Sequence, residues 1–459
     1  FDHRHGVSAA LNLGARQLFG VGGVSHHARG VDVDLVVGEG EPHARSVEVL
    51  QLSALVRRLH HLPAALAQLR VGSDIADAEV LIDALFGFGL NRPVEGLHRE
   101  VIERLNASGK KIVAVDIPSG MMAEGGTGGP MVHAAMTITF QFPKRAFLLP
   151  ETGALAGEVK VVDIGLEPEA IAACEVRDFL LQRSDVSSIF RPRPRFSHKG
   201  LFGHLLIAGG SRGMYGAPVL SALAALRTGA GMVTAHVPRT GVQAINAHAP
   251  EVMTDADQEE ELITTLPDPK KFTTAAIGPG LGTDQRTARA LIKFLENTPH
   301  PVVLDADALN ILSADSGLLN AIPRHSVLTP HPGEFRRLAG EWKNDVEKLD
   351  RLRRMASGLG IHILLKGAFT AIAFPDGKVV FNETGTPWMS TAGSGDVLTG
   401  MIAALMCQGY PPGDAAMAGA YLHGLAGERA AGSGHPILAS DLIKRSEEHT
   451  SELQSPYVI

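Results

Sequence analysis

The sequence contains little cysteine and few aromatic residues. Two of its 459 residues are cysteine, Cys174 and Cys407, and Phe, Trp and Tyr together make up 5%. Only two cysteines, without the spacing of metal ligands, exclude a disulfide scaffold. This low cysteine content favours a reducing cytoplasm. Glycine, in contrast, is abundant at 51 residues. This combination suits an α/β fold with many tight strand-to-helix turns and with pockets lined by backbone.

Long hydrophobic runs and an excess of positive charge are also missing. No apolar run reaches membrane-spanning length and no signal peptide is visible, so we expect no membrane partner. The net charge of -7 argues against a nucleic-acid partner. The chain does not begin with Met, and the polar stretch "RSEEHTSELQSPYVI" that ends it has no periodicity. We therefore expect that Phe1 is not the native start and that residues 446–459 are a non-native tail.

The length predicts two or three domains, and the first half has its own α/β pattern. Short β-branched runs alternate with helix-like stretches, of which 94–108 carries apolar residues at helical spacing. Buried strands alternating with helices predict a parallel sheet covered on both faces. The predicted strands are 31–37, 79–85, 111–117, 135–140 and 158–164.

The second half repeats this pattern after a stretch rich in Ser, Arg and Pro at 183–200. Because Pro cannot continue a helix or a central strand, we divide the chain into a first domain at 1–180, a linker at 181–196 and a second domain at 197–445. A hairpin at 370–382 is predicted to turn at Asp376-Gly377. The predicted strands are 203–210, 232–237, 274–278, 301–306, 326–330 and 362–367, and the two closing helices are 396–407 and 413–430.

The stretch "AGSGD" at 392–396 opens an apolar helix directly from glycines. Glycines leave backbone N–H groups free to point at a ligand, and a helix N-terminus adds about half a positive charge. This is an anion site, and Asp396 beside it could accept a proton from a hydroxyl. The alternative is an ordinary helix cap, since Ser and Asp are common at helix starts.

Four further stretches of the second half are ambiguous when each is taken alone. "KGAFT" (366–370) ends a strand where a nucleotide could lie along exposed backbone, although a strand-end Lys is often only a surface residue. "IGPGLG" (277–282) is a Gly-rich loop that would let a phosphate or ribose approach closely. "TPHPGEF" (329–335) holds His331 between two prolines, as a ligand contact or as a turn residue. Asp305 and Asp307 in "LDADALN" could hold Mg²⁺ or cap the following helix.

Taken together and in order, the motifs of the second half resemble the ribokinase-like NAD(P)H-hydrate dehydratase family. The resemblance covers about residues 197–444, and it implies a ribokinase-like α/β domain. The first half is similar to the NAD(P)H-hydrate epimerase domain, which implies a Rossmann-like three-layer domain, and the order matches the fused bifunctional repair enzymes of bacteria. The motifs are "GSRGMYGAPVLSALAALRTGAGMV", "GPGLG", "LDADALN", "TPHPGEF", "KGAFT" and "STAGSGDVLTG" for the dehydratase, and "DALFGFGLNRPVEG", "VAVDIPSG" and "TITFQFPKRAFLLP" for the epimerase.

The resemblance implies a repair reaction on hydrated NADH and NADPH (NADHX and NADPHX). The ring hydroxyl is phosphorylated by ADP, with ATP as an alternative donor and Mg²⁺ as cofactor, and phosphate then leaves. Asp396 would take the hydroxyl proton, and the N–H groups of Gly393 and Gly395 would hold the phosphoryl group. We expect a carboxylate at a helix N-terminus to stay ionised. By the family pattern, the AMP part contacts Lys366, Gly367, Ala368, Phe369, Thr370 and Gly395, and the hydrate contacts Ala217, Gly280, His331 and Asp396.

For the first half, the resemblance implies epimerisation of the R- and S-hydrates with K⁺ as cofactor. Asp83 and Ser119 would hold K⁺, and Asp116 would be the acid/base or the ribose anchor. The alternative for Asp116 is capping of a turn by "D-x-P-S-G". The residues implied to wrap the substrate are Gly87, Phe88, Gly89, Leu90, Asn91, Arg92 and Pro93.

One family element of the epimerase is missing from the sequence. Nothing resembles the family's Asn-Asn-Gly-Gly-Asp-Gly loop between Phe1 and Gly38, where "LNLGARQLFGVGGVSHHARG" precedes the predicted strand 31–37. We therefore expect an N-terminally incomplete epimerase domain with impaired activity beside a working dehydratase.

Two other functions fit parts of the sequence. A vitamin or sugar kinase of the ribokinase fold would share the "GSGD" element but would leave a stable phosphorylated product. A non-catalytic nucleotide-binding scaffold would not need that element intact. We also expect a homo-oligomer in the cytoplasm.

Overall fold

The computed structural model describes residues 10–11, 78–126, 128–432 and 436–445. Within them the chain forms one parallel sheet and one larger, mostly parallel sheet whose pairs 10–11 with 178–179, 363–365 with 371–373 and 370–373 with 379–382 are antiparallel, which confirms the predicted α/β class. The predicted strand 31–37, the segment between Phe1 and Gly38 that lacks the glycine loop, and the tail at 446–459 lie outside the described residues, apart from Ala10 and Leu11. No helix of the described ranges is long and apolar enough to cross a membrane.

The smaller sheet belongs to the first half and has four parallel strands in the order β2-β3-β4-β5. These four strands confirm four of the five predictions for the first half. The larger sheet has eleven strands in the order β1-β6-β15-β14-β13-β12-β11-β10-β7-β8-β9. The strands are β1 (Ala10–Leu11), β2 (Val80–Asp83), β3 (Lys111–Val115), β4 (Met136–Phe140), β5 (Glu158–Val162), β6 (Asp178–Leu180), β7 (His204–Ala208), β8 (Met232–Val237), β9 (Met253–Ala256), β10 (Thr274–Ile277), β11 (Val303–Leu304), β12 (Val327–Leu328), β13 (His362–Leu365), β14 (Thr370–Ala373) and β15 (Val379–Asn382).

Helices cover the sheets, and the two closing helices occur where the sequence predicts them. The α-helices are α1 (Gly96–Ala107), α2 (Pro150–Gly153), α3 (Pro168–Ala172), α4 (Arg183–Ile189), α5 (Gly216–Thr228), α6 (Val242–His248), α7 (Gln285–Asn297), α8 (Asp307–Ser313), α9 (Pro332–Ala339), α10 (Asp345–Leu359), α11 (Ser394–Cys407), α12 (Pro412–Ala431) and α13 (439–445). The 3₁₀ helices are Arg145–Leu148, Lys199–Phe202, Arg239–Gly241, Pro269–Lys271, Ser316–Ala321 and Pro387–Met389.

The core of the larger region lies on both faces of its sheet. Strands β7, β10 and β13 are apolar after their first residue and almost fully buried, because parallel strands covered by helices have no solvent face. On one face α11 is apolar all round and packs between α5 and α12. This packing fixes the first turn of α11 at the carboxyl ends of the parallel strands, where open α/β sheets bind ligands.

The stretch predicted as a linker contains a helix. Residues 183–189 form α4, which begins with a capping box in which the Gln182 N–H donates to the Asp185 carboxylate at 2.9 Å. Upstream of it, β6 pairs with β15 in the larger sheet, although the sequence analysis assigns 178–180 to the first domain. Leu181 and Val186 are buried in the core of the larger region, which explains why β6 and α4 belong to that region. The Pro-rich stretch begins only after α4.

Polar contacts join the two regions. The backbone N–H of Glu151 donates to the Asp345 carboxylate at 2.8 Å, and the N–H of Asp345 donates back to the Glu151 carboxylate at 3.0 Å. Arg145 donates to Asp178 at 3.0 Å, and Arg353 pairs with the same carboxylate from α10. The smaller region is thus bound at the beginning of α10 and at β6.

Candidate active sites

The first turn of α11 is shaped by a residue in the left-handed region. Gly393 precedes the helix at φ +89°, and a Cβ there would lie 2.6 Å from Leu220 Cδ1, so only glycine fits. The carbonyl of Ser394 accepts a hydrogen bond at 2.9 Å from Nε2 of His423. Burial lowers the pKa of His423 to about 4, so the ring is neutral with its proton on Nε2. These contacts fix the conformation of the loop at the start of α11.

Asp396 lies in this first turn and is partly buried. In the described part of the chain no hydrogen-bond donor is recorded for its carboxylate. Burial, and then the negative charge of Asp305, raise the pKa of Asp396 to about 7, although Lys366 opposes the shift. The sequence-based expectation of a fully ionised carboxylate is therefore wrong. Burial and a like charge outweigh the helix dipole here.

Asp305 is the fixed carboxylate of the site. It is 2% exposed, follows β11, and accepts hydrogen bonds from Lys366 Nζ at 2.9 Å and from Thr399 Oγ1 at 2.7 Å. A Cβ on Gly395 would lie 3.3 Å from Lys366 Nζ. The ammonium of Lys366 therefore stands directly beside the glycine loop of α11. Sequence reasoning named Lys366 and Asp305 separately but did not predict that they form a pair.

Asp307 is the first residue of α8, and its carboxylate accepts two hydrogen bonds. Its carboxylate accepts from the N–H of Gly282 at 2.8 Å and from Asn310 Nδ2 at 3.1 Å. Between Asp305 and Asp307, Ala306 adopts a strained φ of +50°. In the described ranges no three His, Cys, Asp or Glu side chains are grouped closely enough to hold a metal by themselves.

The first turn of α5, which carries Ala217, touches the loop that carries Gly280. A Cβ on Gly280 would lie 3.3 Å from the Ala217 Cβ, and the Ser211 hydroxyl donates to the Gly280 carbonyl at 2.9 Å. The structure therefore brings these two predicted hydrate contacts together at the ends of β7 and β10.

His331 caps α9. Its Nδ1 accepts from the N–H groups of Gly333 at 3.0 Å and Glu334 at 3.3 Å, while the His331 N–H donates to the Glu334 carboxylate at 2.8 Å. His331 therefore has the structural role in the turn that the sequence analysis gives as one of two alternatives. The side chain is still 51% exposed, with its Nε2 3.5 Å from Glu334 Oε1, so part of the ring is accessible to a ligand as well.

The predicted nucleotide loop at 366–370 is accessible. Gly367 and Ala368 are exposed, whereas Phe369 and Thr370 are partly buried. The N–H of Lys366 donates to the Pro330 carbonyl at 2.9 Å, and Thr370 Oγ1 donates to the Gly367 carbonyl at 3.3 Å. The loop therefore runs beside "TPHPGEF" with its backbone free on one side.

In the smaller region Asp83 and Ser119 form a buried pair. The Ser119 hydroxyl and N–H donate to the two Asp83 carboxylate oxygens at 2.6 and 2.7 Å. Ser119 in turn accepts from the N–H of Phe86 at 2.9 Å. Burial raises the pKa of Asp83 despite these hydrogen bonds. In the described residues no cationic side chain compensates this carboxylate.

Asp116 is paired with a residue that sequence reasoning missed. It follows β3 at a strained φ of +68°, is 5% exposed, and forms an ion pair with Lys144 at 2.8 Å. Lys144 Nζ also donates to Thr139 Oγ1 at 3.0 Å and to the Phe140 carbonyl at 3.1 Å. The sequence signal that could have indicated this pair is Lys144 in "FQFPKR". It lies just past the end of β4, which is adjacent to β3 in the sheet.

The predicted substrate loop Gly87–Pro93 lies next to Asp116. A Cβ on Gly87 would lie 3.7 Å from Asp116 Oδ2. Phe88 is 41% exposed, Leu90 is partly buried, and the other loop residues are exposed. The structure thus brings one end of this loop to Asp116.

Comparisons with known proteins find matches to both halves of the chain. A family model described as NAD(P)H-hydrate dehydratase matches residues 205–448, and one described as YjeF-related protein N-terminus matches residues 23–146. The bifunctional NAD(P)H-hydrate repair enzyme of Moorella thermoacetica is 42% identical over 380 residues, which cover 80% of this chain and 72% of that protein.

Two solved structures resemble the second half. The ADP/ATP-dependent NAD(P)H-hydrate dehydratase from Bacillus subtilis, co-crystallised with ATP and Mg²⁺, is 30% identical with a TM-score of 0.52, covering 60% of this chain and 98% of that one. A ribokinase-like superfamily protein from Enterococcus faecalis is 28% identical with a TM-score of 0.55, covering 61% and 99%. The chain therefore belongs to the family of bifunctional NAD(P)H-hydrate repair enzymes.

Proposed function

We propose that the second half dehydrates the S-hydrates of NADH and NADPH by phosphorylating the ring hydroxyl and eliminating phosphate. The observation that carries this proposal is the Asp396 carboxylate, which lies at a glycine-bounded helix start, has a pKa of about 7 and accepts no hydrogen bond from the described residues. A general base works best when its pKa lies near the operating pH. Asp396 takes the proton from the hydroxyl as that oxygen attacks the phosphoryl group.

The backbone and Lys366 stabilise the transferring phosphoryl group. The N–H groups of Gly393 and Gly395 and the positive end of α11 point toward developing negative charge. Lys366 Nζ, held by Asp305, lies beside Gly395 and adds a full positive charge. Phosphorylation converts the hydroxyl, which is a poor leaving group, into a phosphate ester, and the C–O bond then breaks as inorganic phosphate leaves. The ring nitrogen supplies the electron pair that restores the dihydropyridine.

We further propose ADP as the donor, with ATP as an alternative, and Mg²⁺ as the metal. The oxygen chemistry of Asp305 and Asp307 suits Mg²⁺, and its remaining ligands would have to be nucleotide phosphates and water, because the described residues offer no cluster of three acidic side chains. When bound, Mg²⁺ neutralises charge on the phosphates. The nucleotide-contacting residues are Lys366, Gly367, Ala368, Phe369, Thr370 and Gly395, and the hydrate contacts are Ala217, Gly280, His331 and Asp396.

For the first half we propose epimerisation of the hydrates with K⁺. Asp83 is a buried carboxylate without a cationic partner among the described residues, and with Ser119 it offers oxygen ligands to a monovalent cation. Asp116 and the loop Gly87–Pro93 would contact the hydrate. Lys144 holds Asp116 in place and is a candidate proton donor of the same site. We also propose a cytoplasmic homo-oligomer.

The decisive experiment follows the product. Purified chain with S-hydrated NADH, ADP and Mg²⁺ should regain the absorbance of the reduced nicotinamide and release one inorganic phosphate per ring restored. A vitamin or sugar kinase would instead accumulate a stable phosphorylated compound. Absence of both absorbance recovery and phosphate release with fresh S-hydrate would refute the dehydratase proposal.

A further inference from the structure

Thr399 carries the one hydroxyl in the apolar body of α11. Between Val397 and Cys407 this helix has no other hydroxyl, amide or charged side chain, and Thr399 is 0% exposed. A buried hydroxyl costs free energy unless it forms a hydrogen bond. Valine would have nearly the same shape in this apolar setting without that cost. The hydroxyl of Thr399 is therefore explained by the group that it binds and not by packing.

The group that it binds is the buried carboxylate of Asp305. The Thr399 hydroxyl donates to Asp305 Oδ2 at 2.7 Å, whereas many helical threonines donate to the backbone carbonyl four residues back. Lys366 Nζ donates to the other oxygen, Oδ1, at 2.9 Å. Each oxygen of Asp305 therefore has its own donor. Because the last torsion of an Asp side chain is broad, donors on both oxygens define the orientation of the carboxylate better than one donor does.

The orientation of Asp305 determines where the Lys366 ammonium lies. A lysine carries its charge at the end of a flexible stem, so the charge has a defined position only where another group holds it. Among the described residues, Asp305 is the recorded partner of Nζ. A Cβ on Gly395 would lie 3.3 Å from Lys366 Nζ and 3.7 Å from Asp305 Oδ2, so both groups lie against the glycine loop. A carboxylate that turned away would take the ammonium with it.

The helix that carries Thr399 also carries the proposed base. Asp396 and Thr399 are three residues apart, so they lie on the same face of α11. The helix is fixed against α5, because the Ser221 hydroxyl donates to the Asp396 carbonyl at 2.8 Å and a Cβ on Gly400 would lie 2.1 Å from the Ser221 carbonyl oxygen. One rigid helix thus holds the base directly and the ammonium indirectly.

We propose that Thr399 is a positioning residue of phosphoryl transfer, which acts through Asp305 to hold the Lys366 ammonium beside the glycine loop. Thr399 contacts no ligand in this role, and it fixes the distance between the base and the cation. This inference rests on the proposed dehydratase function and adds a residue to it. It predicts that the hydroxyl matters for turnover and little for ligand affinity, because a displaced ammonium costs most where negative charge develops.

The test measures kcat, the KM values for S-hydrate, ADP and Mg²⁺, and the Tm of the full chain and its variants. Thr399→Val and Thr399→Ala remove the hydroxyl, and Thr399→Ser keeps it. Thr287→Val is the matched control, because Thr287 is also a buried helical threonine and its hydroxyl donates to the distant Ile263 carbonyl at 2.6 Å. Thr399→Val is also combined with Lys366→Met, since a residue that acts through Lys366 loses its effect once the ammonium is gone.

We expect both hydroxyl-free variants to lower kcat about tenfold, which is less than the loss of about 100-fold or more for removing a charge-stabilising donor outright. The KM values should stay within about twofold of the parent chain. Thr399→Ser should restore most of the rate, and Thr287→Val should lower Tm without lowering kcat. In the Lys366→Met background, Thr399→Val should change kcat by less than about twofold.

Four results would overturn the inference. They are full turnover without the hydroxyl, equal rates in Thr399→Ser and the hydroxyl-free variants, an undiminished loss in the Lys366→Met background, and recovery of kcat at high Mg²⁺, which would assign the hydroxyl to the metal. Turnover of the S-hydrate by the parent chain tests the dehydratase function separately, so the inference can fail while that function stands.

Discussion

Asp396 and Asp116 are both largely buried carboxylates in predicted sites, but their surroundings differ. Asp396 accepts no hydrogen bond within the described part of the chain, and burial with the Asp305 charge raises its pKa to about 7. Asp116 is fixed by the ammonium of Lys144 and by a strained backbone. An unpaired carboxylate with a raised pKa suits proton acceptance, whereas a paired one suits anchoring or a shared proton. Family motifs alone gave the two residues similar importance.

The second carboxylate of each site, Asp305 and Asp83, shows the opposite pattern of pairing. Asp305 beside Asp396 has a lysine partner, whereas Asp83 has only neutral donors and a pKa raised by burial. The described residues of the second half therefore bring a base, a fixed cation and a glycine loop into one place. Those of the first half leave a buried negative charge without a partner, and the segment that would carry the family's glycine loop lies outside the described residues.

The largest effect is expected from Asp396→Asn. Removing the base should reduce dehydration of the S-hydrate by about 1,000-fold, because general bases contribute about 10²–10⁴-fold to rate. ADP binding, measured by calorimetry, should change little. Asp284→Asn is the matched control, since Asp284 also lies at a helix start but is exposed. Retention of more than a few per cent of turnover in Asp396→Asn would remove Asp396 from the role of base.

The second test compares the two hydrate epimers in the unmodified chain. With ADP and Mg²⁺ we expect normal conversion of the S-hydrate and conversion of the R-hydrate only at the spontaneous epimerisation rate. The reason is that the sequence carries no Asn-Asn-Gly-Gly-Asp-Gly loop to complete the site of Asp83 and Ser119. The measurement is reduced nicotinamide against time from each pure epimer.

A separately purified epimerase from a family member is the control for the R-hydrate. Its addition should restore fast conversion if only the epimerase half limits the rate. Fast conversion of the R-hydrate without that addition would mean that the first half is active, and the contrast between the two halves would disappear.

Much of the second half could be predicted from sequence because its signals are local. The strands at β7, β8, β10 and β13, the hairpin and both closing helices are confirmed, since apolar runs and glycine turns specify them directly. Strand β9 was missed because "MTDA" is short, polar and at the sheet edge. Helix α4 was missed because prolines in the following residues suggested a linker.

The sites were less predictable, because their properties arise from contacts distant in sequence. Lys366 and Asp305 are 61 residues apart, and Lys144 and Asp116 meet only because their strands are neighbours in the sheet. The sign of the pKa shift at Asp396 depends on burial and on Asp305, neither of which a helix-start motif reveals. Residue identities were visible in the sequence, but their charge states were not.

The raised pKa of Asp396 predicts a pH dependence of the dehydratase. Only the ionised carboxylate accepts the proton, so turnover of the S-hydrate should fall about tenfold per pH unit below pH 7 and level off above pH 8. Asp305→Asn should move the midpoint to lower pH, because it removes a charge that raises the pKa. Initial rates between pH 5.5 and 9 provide the measurement. A flat profile over this range would contradict a base with a pKa of about 7.

The same shift predicts a stability effect. The pKa of Asp396 in the folded chain exceeds its ordinary value of 3.8, so the folded state holds the proton more tightly than the unfolded state. Stability is therefore lost as pH rises from about 4 to about 7, and the loss persists above that range. Asp396→Asn avoids it and should raise Tm by a few degrees at pH 8 but not at pH 4. A lower Tm for Asp396→Asn at pH 8 would show that the ionised carboxylate is stabilised in the fold.

The smallest expected effect concerns His331, which separates a structural role from a binding role. His331→Ala removes the cap of α9 and should cost about 1 kcal/mol of stability, whereas His331→Asn keeps a side-chain acceptor at that position. If the exposed part of the His331 ring contacts the hydrate, both variants should bind the hydrate several-fold more weakly, and both should bind ADP normally. Thermal unfolding and calorimetry with each ligand alone provide the measurements. Normal hydrate binding in His331→Asn, together with reduced stability only in His331→Ala, would assign His331 to capping alone and leave Asp396 as the polar contact to the hydrate.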